Sequence, residues 1–380
     1  MTGHKTIANP APPLEPQLNE GEFKAGAFTV LGTDLRGNGR LPRLDEYSAA
    51  KAFVEGRLSV RGDLLAAIRY FCRQTPPLAR QLWFTLAAGV AQFTASLRNG
   101  RAAAARNIRF HYDRSNAFYR LFLDTRMLYS AARFRRAGCS LEEAQREKLD
   151  DICGRLHLVP GDRFLDVGCG WGALVVNAAE RFGARSTGCT LSLEQAEFSR
   201  SVVTDKGLGG QVSIEMTDYR DLNGTFDKIA SVGMFEHVGR RHLGEYFRKV
   251  YSLLAQGGLF LNRGIVRPEK TTNSPATLFL QRSVFPGGEL AHLSDVVREA
   301  ELAGFETVEM EDLRRDYALT CRAWVDRLIQ NAPACRALVG DTAYRTWLLY
   351  LAASAVCFED GLTDCAQITF EKRPRQLAAA

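Results

Sequence analysis

Three glycines at alternating positions, Gly168, Gly170 and Gly172, stand where an apolar segment of the chain gives way to a helical pattern. Residues 163–167 predict a short buried strand, and residues 173–182 predict the helix that follows it. Glycines let the backbone bend tightly and approach a ligand, and the free N–H groups at the start of a helix face that ligand. Such a turn is typical of sites for NAD, FAD or S-adenosylmethionine. The Gly-x-Gly-x-Gly spacing favours S-adenosylmethionine over a dinucleotide.

Strand-like and helix-like segments alternate around this turn. The predicted strands are 163–167, 184–190, 211–215, 226–232, 257–265, 305–311 and 366–372, and the predicted helices are 172–182, 193–206, 240–254 and 293–303. This alternation predicts a doubly wound α/β sheet of seven strands. A helical insertion at 317–357 precedes the final strand, which we expect to pair antiparallel at the edge of the sheet. Ligands of such sheets bind beyond the carboxyl ends of the strands, so we expect the site in the loops 168–172, 190–195, 218–221, 233–239 and 262–266.

Length and composition suggest one large domain and a smaller one, because 380 residues with 46% hydrophobic content can bury a substantial core. We expect a flexible tail over residues 1–40, a small N-terminal domain over 41–99 and the main domain over 100–380. The nine cysteines are scattered and form no Cys-x-x-Cys pair, which predicts neither a disulfide framework nor a metal site. No secretory signal pattern is present, so we expect a cytoplasmic protein.

Positive charge is concentrated near the N-terminus, where residues 1–115 hold 16 Lys and Arg against 9 Asp and Glu. An apolar stretch at 82–97 is shorter than a bilayer span and is followed by Arg98, Arg101, Arg106 and Arg109. One interpretation is an apolar helix with a basic flank that binds an anionic membrane surface. The other is an amphipathic helix packed on the main domain with solvated arginines. No nucleic-acid-binding module is evident.

Seven segments, in their order and spacing, resemble the cyclopropane-fatty-acyl-phospholipid synthases, a pattern that mycolic acid cyclopropane synthases and methyltransferases share. They are His-Tyr-Asp-Arg-Ser-Asn-Ala-Phe-Tyr at 111–119, Met-Leu-Tyr-Ser at 127–130, the glycine turn at 165–173, Thr-Leu-Ser-Leu-Glu-Gln at 190–195, Asp-Tyr-Arg-Asp-Leu at 218–222, Ser-Val-Gly-Met-Phe-Glu-His-Val-Gly at 231–239 and Phe-Pro-Gly-Gly at 285–288. The similarity covers residues 100–372 and is looser over 41–98, which resembles the small lipid-contacting domain of these synthases. It implies a Rossmann-like class I methyltransferase fold, a homodimer, and peripheral association with the inner face of a membrane.

The resemblance also implies which residues contact S-adenosylmethionine. The glycines would admit its amino-acid end, Thr190 and Gln195 would hydrogen-bond to it, and Tyr219 would offer a flat face to adenine. The full implied set is Tyr129, Ser130, Asp166, Gly168, Gly170, Trp171, Gly172, Thr190, Leu191, Gln195, Tyr219 and Arg220.

The reaction implied is methyl transfer to a cis double bond in an unsaturated acyl chain of a membrane phospholipid. The double bond attacks the sulfonium methyl group, and the resulting carbocation loses a proton. An alkene is a weak nucleophile, so it must be held close to the methyl group in a dry, apolar site. Aromatic faces stabilise the cation, and a base must lie nearby to accept the proton.

The resemblance implies that this base is a bound bicarbonate ion, and the chain matches only part of its site. Glu236, Ile265 and Tyr317 stand at family positions, whereas Ala131 replaces a cysteine and Arg263 replaces a histidine. Arg263 could hold the anion, since a guanidinium is always charged and binds it bidentately. Alternatively, Arg263 pairs with Glu236 and the anion site is lost.

These substitutions bear on the product. Loss of the anion site would let the cation lose a proton from the chain, and we therefore expect a methyl-branched alkene. The alternatives are a cyclopropane ring or methylation of another lipid-like small molecule. His237 is a further candidate base, although it also suits a helix cap or a core position. Two other protein classes stay open: a methyltransferase for water-soluble acceptors, and a lipid-binding protein without catalysis.

Overall fold

The computed structural model describes residues 21–32, 46–73, 115–269 and 289–373 of the chain. Three sequence segments discussed above lie wholly or partly outside these residues: the apolar and basic stretch at 82–109, residues 111–114 of the segment at 111–119, and Phe-Pro-Gly-Gly at 285–288. Within the described ranges, no helix combines the length and the apolarity needed to cross a bilayer.

A small N-terminal unit contains a three-stranded antiparallel sheet and two helices. Its strands are β1 (Gly21–Ala25), β2 (Phe28–Gly32) and β3 (Leu58–Gly62), and its helices are α1 (Glu46–Val54) and α2 (Leu64–Cys72). The expected tail over residues 1–40 is therefore wrong for 21–32. Those residues form a hairpin because Gly26, at φ +60°, permits a two-residue turn, and because Phe28 and Val30 are buried against the helices.

The main domain contains a seven-stranded sheet with the order β6-β5-β4-β7-β8-β10-β9. Its strands are β4 (Arg163–Val167), β5 (Arg185–Thr190), β6 (Val212–Met216), β7 (Phe226–Val232), β8 (Leu254–Val266), β9 (Glu306–Asp312) and β10 (Asp364–Glu371). Strands β4 to β8 are parallel, and β10 is antiparallel to both of its neighbours. The final strand therefore has the expected direction but not the expected edge position, because β9 lies outside it.

Helices cover both faces of this sheet, which confirms the doubly wound α/β prediction. They are α3 (Asn116–Arg120), α4 (Leu141–Arg155), α5 (Ala173–Phe182), α6 (Leu193–Asp205), α7 (Leu243–Leu253), α8 (Leu293–Ala303), α9 (Arg314–Gln330), α10 (Ala332–Val339) and α11 (Asp341–Glu359). Helices α4 to α6 pack on one face in a core that includes Ile152 and Val175, whereas α7 and α8 cover the other face through Phe247 and Val296.

Helices α9 to α11 form the insertion expected at 317–357, and they connect the main domain to the N-terminal unit. Phe53 and Leu65 of that unit pack into the same apolar core as α9 and α11. The guanidinium of Arg69 forms ion pairs with Glu359 and with Asp360, the latter at 3.0 Å. The insertion is therefore held between the sheet and the N-terminal unit.

Candidate active site

A cavity opens at the carboxyl ends of β4 to β7, where the loops after four parallel strands meet. Eleven of the twelve residues that the resemblance implies as cofactor contacts line it: Tyr129, Ser130, Asp166, Gly168, Gly170, Trp171, Thr190, Leu191, Gln195, Tyr219 and Arg220. Gly172, the twelfth, instead begins α5, and a Cβ there would lie 2.9 Å from the Ser199 side chain. The topology of the sheet thus brings these side chains together from distant parts of the sequence.

The glycine turn has positive φ angles, which residues other than glycine adopt only at a cost in free energy. Gly168, Gly170 and Gly172 have φ angles of +82°, +54° and +81°. The amides of Gly168 and Cys169 both donate to the carbonyl oxygen of Cys189, which ties the turn to β5. A Cβ built at Gly170 would meet no atom within 4 Å. The turn therefore leaves open space at its centre, where a ligand can approach the backbone.

The loop after β5 is held by its own side chains. The Thr190 hydroxyl donates to Gln195 Oε1 at 2.7 Å and accepts from the Ser192 amide at 3.2 Å. The Ser192 hydroxyl in turn caps α6 by accepting from the Gln195 amide. This network fixes the position of Leu191 at the cavity wall.

Tyr219 and Arg220 lie in the turn that follows β6. Arg220 donates to both carboxylate oxygens of Asp218, at 2.9 and 2.6 Å, and its guanidinium lies 5.5 Å from the Tyr219 ring centre. The other side of Tyr219 meets the Tyr246 ring edge-on. The charge of Arg220 is thus neutralised by Asp218, and the Tyr219 ring is held in a fixed orientation.

Asp166 ends β4 at the base of the cavity. Its side chain is buried, and its Oδ1 atom has no hydrogen-bond partner among the described residues. Burial raises the pKa of this carboxyl group to about 7. A buried carboxylate that lacks a partner fits a site that receives a ligand with a positive group.

Lys148 was not predicted from the sequence, yet it also lines the cavity. Its ammonium group is buried and donates to the Ser130 hydroxyl at 2.9 Å. A signal was present in the sequence, because Lys148 follows Leu141 and Ala144 and precedes Ile152 at helical spacing on the buried face of α4. A lysine within an apolar stripe is unusual and marks a buried charge.

Glu236 lies in a single helical turn, Phe235–His237, that follows β7. Its Oε1 atom accepts a hydrogen bond from the Ile265 amide at 2.7 Å, while its buried Oε2 atom has no partner among the described residues. Burial raises the pKa of this carboxyl group to about 7. Gly264 makes room for it, since a Cβ there would lie 2.8 Å from both carboxylate oxygens.

Arg263 is fully buried but faces away from Glu236. It donates to the carbonyl oxygens of Ala131 and Ala132 at 2.8 and 3.3 Å, and to Gln367 Oε1 at 3.4 Å. The alternative in which Arg263 pairs with Glu236 is therefore wrong, and the buried Nε atom of Arg263 has no partner among the described residues. The physical reason is that the buried backbone carbonyls of the 129–132 segment are acceptors within reach on its own side of the sheet.

An aromatic group lies beside Glu236 and the cavity. Tyr317 stacks on Phe358, with ring centres 4.4 Å apart, and meets Trp324 edge-on. The Tyr129 ring, which lines the cavity, lies 5.1 Å from Trp324. Ile265 packs into the same apolar cluster. Burial raises the pKa of the Tyr317 hydroxyl, so this ring stays neutral.

His237 lines the cavity, whereas the residues that line it do not include Glu236, Arg263, Ile265 and Tyr317. Burial lowers the pKa of His237 to about 4, so its imidazole is neutral near pH 7.

Asn116 of α3 closes the site from the other side, because it accepts from the Trp171 indole at 2.7 Å and donates to Glu194 at 3.2 Å.

Comparison with known proteins shows the family. Residues 100–368 match the family model described as Mycolic acid cyclopropane synthetase. A probable fatty acid methyltransferase from Pseudomonas putida is 39% identical over 366 residues, which cover 94% of this chain and 91% of that protein. Cyclopropane mycolic acid synthase 3 from Mycobacterium tuberculosis is 34% identical over 277 residues, which cover 70% of this chain and 96% of that protein.

Comparison with solved structures indicates the same family. The mycolic acid cyclopropane synthase CmaA1, complexed with SAH and CTAB, superposes with a TM-score of 0.68 at 32% identity over 70% of this chain and 98% of that one. SAH is what S-adenosylmethionine becomes when it gives up its methyl group, and the open glycine turn and unpartnered Asp166 fit this cosubstrate. The chain therefore belongs to the mycolic acid cyclopropane synthetase family and is an S-adenosylmethionine-dependent methyltransferase.

Proposed function

We propose that this enzyme methylates the cis double bond of an unsaturated fatty acyl chain in a membrane phospholipid and releases a methyl-branched alkene. The observation that carries the proposal is the buried carboxylate of Glu236, whose Oε2 atom has no partner among the described residues. An acyl substrate is supported by the relative named as a probable fatty acid methyltransferase.

In the proposed reaction, the electrons of the double bond form the new carbon–carbon bond as the carbon–sulfur bond of the sulfonium breaks. The positive charge moves to the neighbouring carbon of the acyl chain. Glu236 Oε2 then takes a proton from the next chain carbon, and the electrons of that C–H bond form the new double bond. A carboxyl group with a pKa near 7 suits this transfer, because it is substantially ionised near neutral pH.

Aromatic rings support the cationic intermediate. The rings of Tyr129, Tyr317 and Trp324 form one packed group, and the electron-rich face of an aromatic ring attracts a nearby cation. The same group excludes water, which would otherwise capture the carbocation.

The residues that the resemblance implies for bicarbonate do not fit such an ion here. Ala131 has no polar side chain, the two Nη atoms of Arg263 donate to Ala131, Ala132 and Gln367 and leave only its Nε atom unpartnered among the described residues, and the Ile265 amide already donates to Glu236. We therefore assign the base to Glu236 itself. In this proposal Glu236 takes the proton from a chain carbon rather than from the transferred methyl group, which gives the alkene.

A cyclopropane product is the second candidate, and one observation favours it. Cyclopropane mycolic acid synthase 3 is similar to this chain over 96% of its own length. In that case the proton would leave the transferred methyl group, and the ring would close between that carbon and the cation. Methylation of another lipid-like small molecule is the third.

Isotope retention separates these outcomes. The purified protein would be incubated with vesicles of a cis-unsaturated phospholipid and S-adenosylmethionine that carries a trideuterated methyl group. A product that keeps all three deuterium atoms and is cleaved by ozone supports the proposal. A product that keeps two and resists ozone is the cyclopropane, and it would replace the first candidate. Absence of S-adenosylhomocysteine with every unsaturated lipid tested would refute both.

We also propose that the enzyme works as a homodimer at the inner face of a membrane, with the N-terminal unit in contact with lipid. The basic and apolar segment at 82–109 supports the membrane part of this proposal. Flotation with anionic and with neutral vesicles tests it, and light scattering tests the dimer. Equal recovery with both vesicle types would remove the electrostatic argument.

A further inference from the structure

Lys148 is a buried amine that the proposed reaction does not use. Its side chain is 1% exposed, lies at the cavity wall, and donates to the neutral hydroxyl of Ser130 at 2.9 Å. Burial, and after it the positive charge of Arg263, lower the pKa of Lys148 well below its usual value, and no ion pair joins Lys148 to a carboxylate among the described residues. An ammonium group in this position is costly unless an anionic group comes to it.

Among the described residues, one other lysine or arginine side chain lines the cavity, and it already has a partner. Arg220 is bound through two hydrogen bonds to Asp218. Lys148 is therefore the cation available to an anionic part of a ligand. The cosubstrate has one anionic group, the carboxylate of its methionine half.

The sheet order shows at which end of the cavity this carboxylate would lie. Tyr219 follows β6 at one end of the row of loops, and Glu236 follows β7 at the other. This placement rests on the proposed function, in which the methyl group points toward Glu236 and the methionine half therefore lies at the β4 and β7 end. Ser130 lies at that end, since its Cβ is 4.0 Å from the Cβ position of Gly233, which follows β7.

We propose that Lys148 binds the carboxylate of S-adenosylmethionine. Asp166, which the family resemblance already implies as a cosubstrate contact, lines the same cavity and has an unpartnered Oδ1 atom among the described residues. An amine and a carboxyl group at this end of the cavity match the zwitterionic end of the ligand. The Ser130 hydroxyl, which already accepts from Lys148, is free to donate its own hydrogen to the same carboxylate.

Binding of two ligands tests the role of Lys148 without any lipid. Calorimetry would give dissociation constants for S-adenosylmethionine and for decarboxylated S-adenosylmethionine, which keeps the ammonium group but lacks the carboxylate. We expect Lys148→Met to weaken binding of the first on the order of 100-fold, because a buried charge pair is lost. Binding of the decarboxylated ligand should stay the same or improve. Equal weakening of both ligands would refute the proposal.

Gln145→Met is the matched control. Gln145 lies one turn before Lys148 on α4 and donates to the carbonyl oxygens of Leu128 and Ser130, so it holds the same segment without charge. We expect this variant to weaken the binding of both ligands by the same factor.

The wild-type protein gives an independent check if Lys148→Met does not fold. It should prefer S-adenosylmethionine over the decarboxylated ligand at least about 10-fold. Equal affinity would overturn the proposal. Because no acyl chain is present, these results do not depend on the proposed methylation.

Discussion

The carboxylate of Glu236 accepts a hydrogen bond from the backbone amide of Ile265 at 2.7 Å, and this contact fixes one of its two oxygens. The other oxygen is buried and has no partner among the described residues. One half of the group is thus held in place while the other half can accept a proton.

Replacement of this carboxylate should stop the chemistry and spare the cosubstrate. In Glu236→Gln the amide oxygen can still accept from Ile265, but no base is present. We expect the turnover number to fall about 1,000-fold, within the range for removal of a general base. The measurement is formation of S-adenosylhomocysteine with unsaturated phospholipid vesicles. An unchanged dissociation constant for S-adenosylmethionine shows that the fold is intact, and turnover close to wild type would exclude Glu236 as the base.

The raised pKa of Glu236 predicts how activity depends on pH. The carboxyl group must lose its proton to act as a base, so activity should rise as the pH passes through about 7 and then level off. His237 should not contribute to this rise, because its pKa is lowered to about 4. Initial rates between about pH 5.5 and about pH 8.5 would test this. A flat profile in the wild type would contradict the assignment.

The same pKa shift predicts how stability depends on pH. The folded protein keeps the Glu236 proton up to a pH of about 7, whereas the unfolded chain loses it near 4.5, so this contribution to stability is lost as the pH rises between those values. The Glu236→Gln variant has no such group to titrate, so it does not lose this stability. We expect its free energy of unfolding, relative to that of the wild type, to increase by about 3 kcal/mol from about pH 5 to about pH 8. Urea denaturation at both pH values measures it, and a pH-independent difference would contradict the raised pKa.

Substitution by alanine should affect stability and cosubstrate affinity differently at two glycines of the turn. Gly170 and Gly172 both have positive φ, so each alanine variant carries about 1 kcal/mol of backbone strain. At Gly172 the new Cβ also meets the Ser199 side chain at 2.9 Å, whereas at Gly170 it enters open space. We expect Gly172→Ala to lose the larger part of its stability, and Gly170→Ala to lose mainly affinity for S-adenosylmethionine. Thermal unfolding and calorimetry separate the two effects, and equal melting temperatures would contradict them.

We expect Arg263 to affect the binding of S-adenosylmethionine through the 129–132 segment, and to have no effect on which product forms. Arg263→Leu leaves the carbonyl oxygens of Ala131 and Ala132 without their buried donor, which costs about 2–4 kcal/mol. We expect weaker binding of S-adenosylmethionine, because Tyr129 and Ser130 belong to the same segment. Deuterium retention in the product should not change. A shift in the ratio of ring to alkene would instead place Arg263 in the proton-transfer step.

Local signals explain which parts of the sheet were predictable. Strands β4 and β7 have the predicted bounds, because each is followed directly by a glycine that ends it. The hairpin of β1 and β2 differs from the expected tail, because each of its strands has only five residues and follows a proline-containing polar stretch that is typical of a tail. Its turn at Gly26 was the available signal.

Long-range features were not predictable in the same way. The central position of β10 depends on which strand edges are free when the chain folds, and no local pattern carries that information. The direction of Arg263 depends on carbonyl groups of residues 131 and 132, which are distant in sequence. The resemblance placed Arg263 at the correct position in the chain, but only the contacts show what its side chain binds.

The position of β10 between β8 and β9 has a consequence for biosynthesis. In the part of the chain that the structure describes, strand β9 pairs with β10 alone, and three helices lie between the two strands in the sequence. While the ribosome is still translating those helices, the edge of β8 that β10 will cover remains unpaired and open to other chains. The last two strands of the sheet therefore join it together, after the helical insertion has been synthesised.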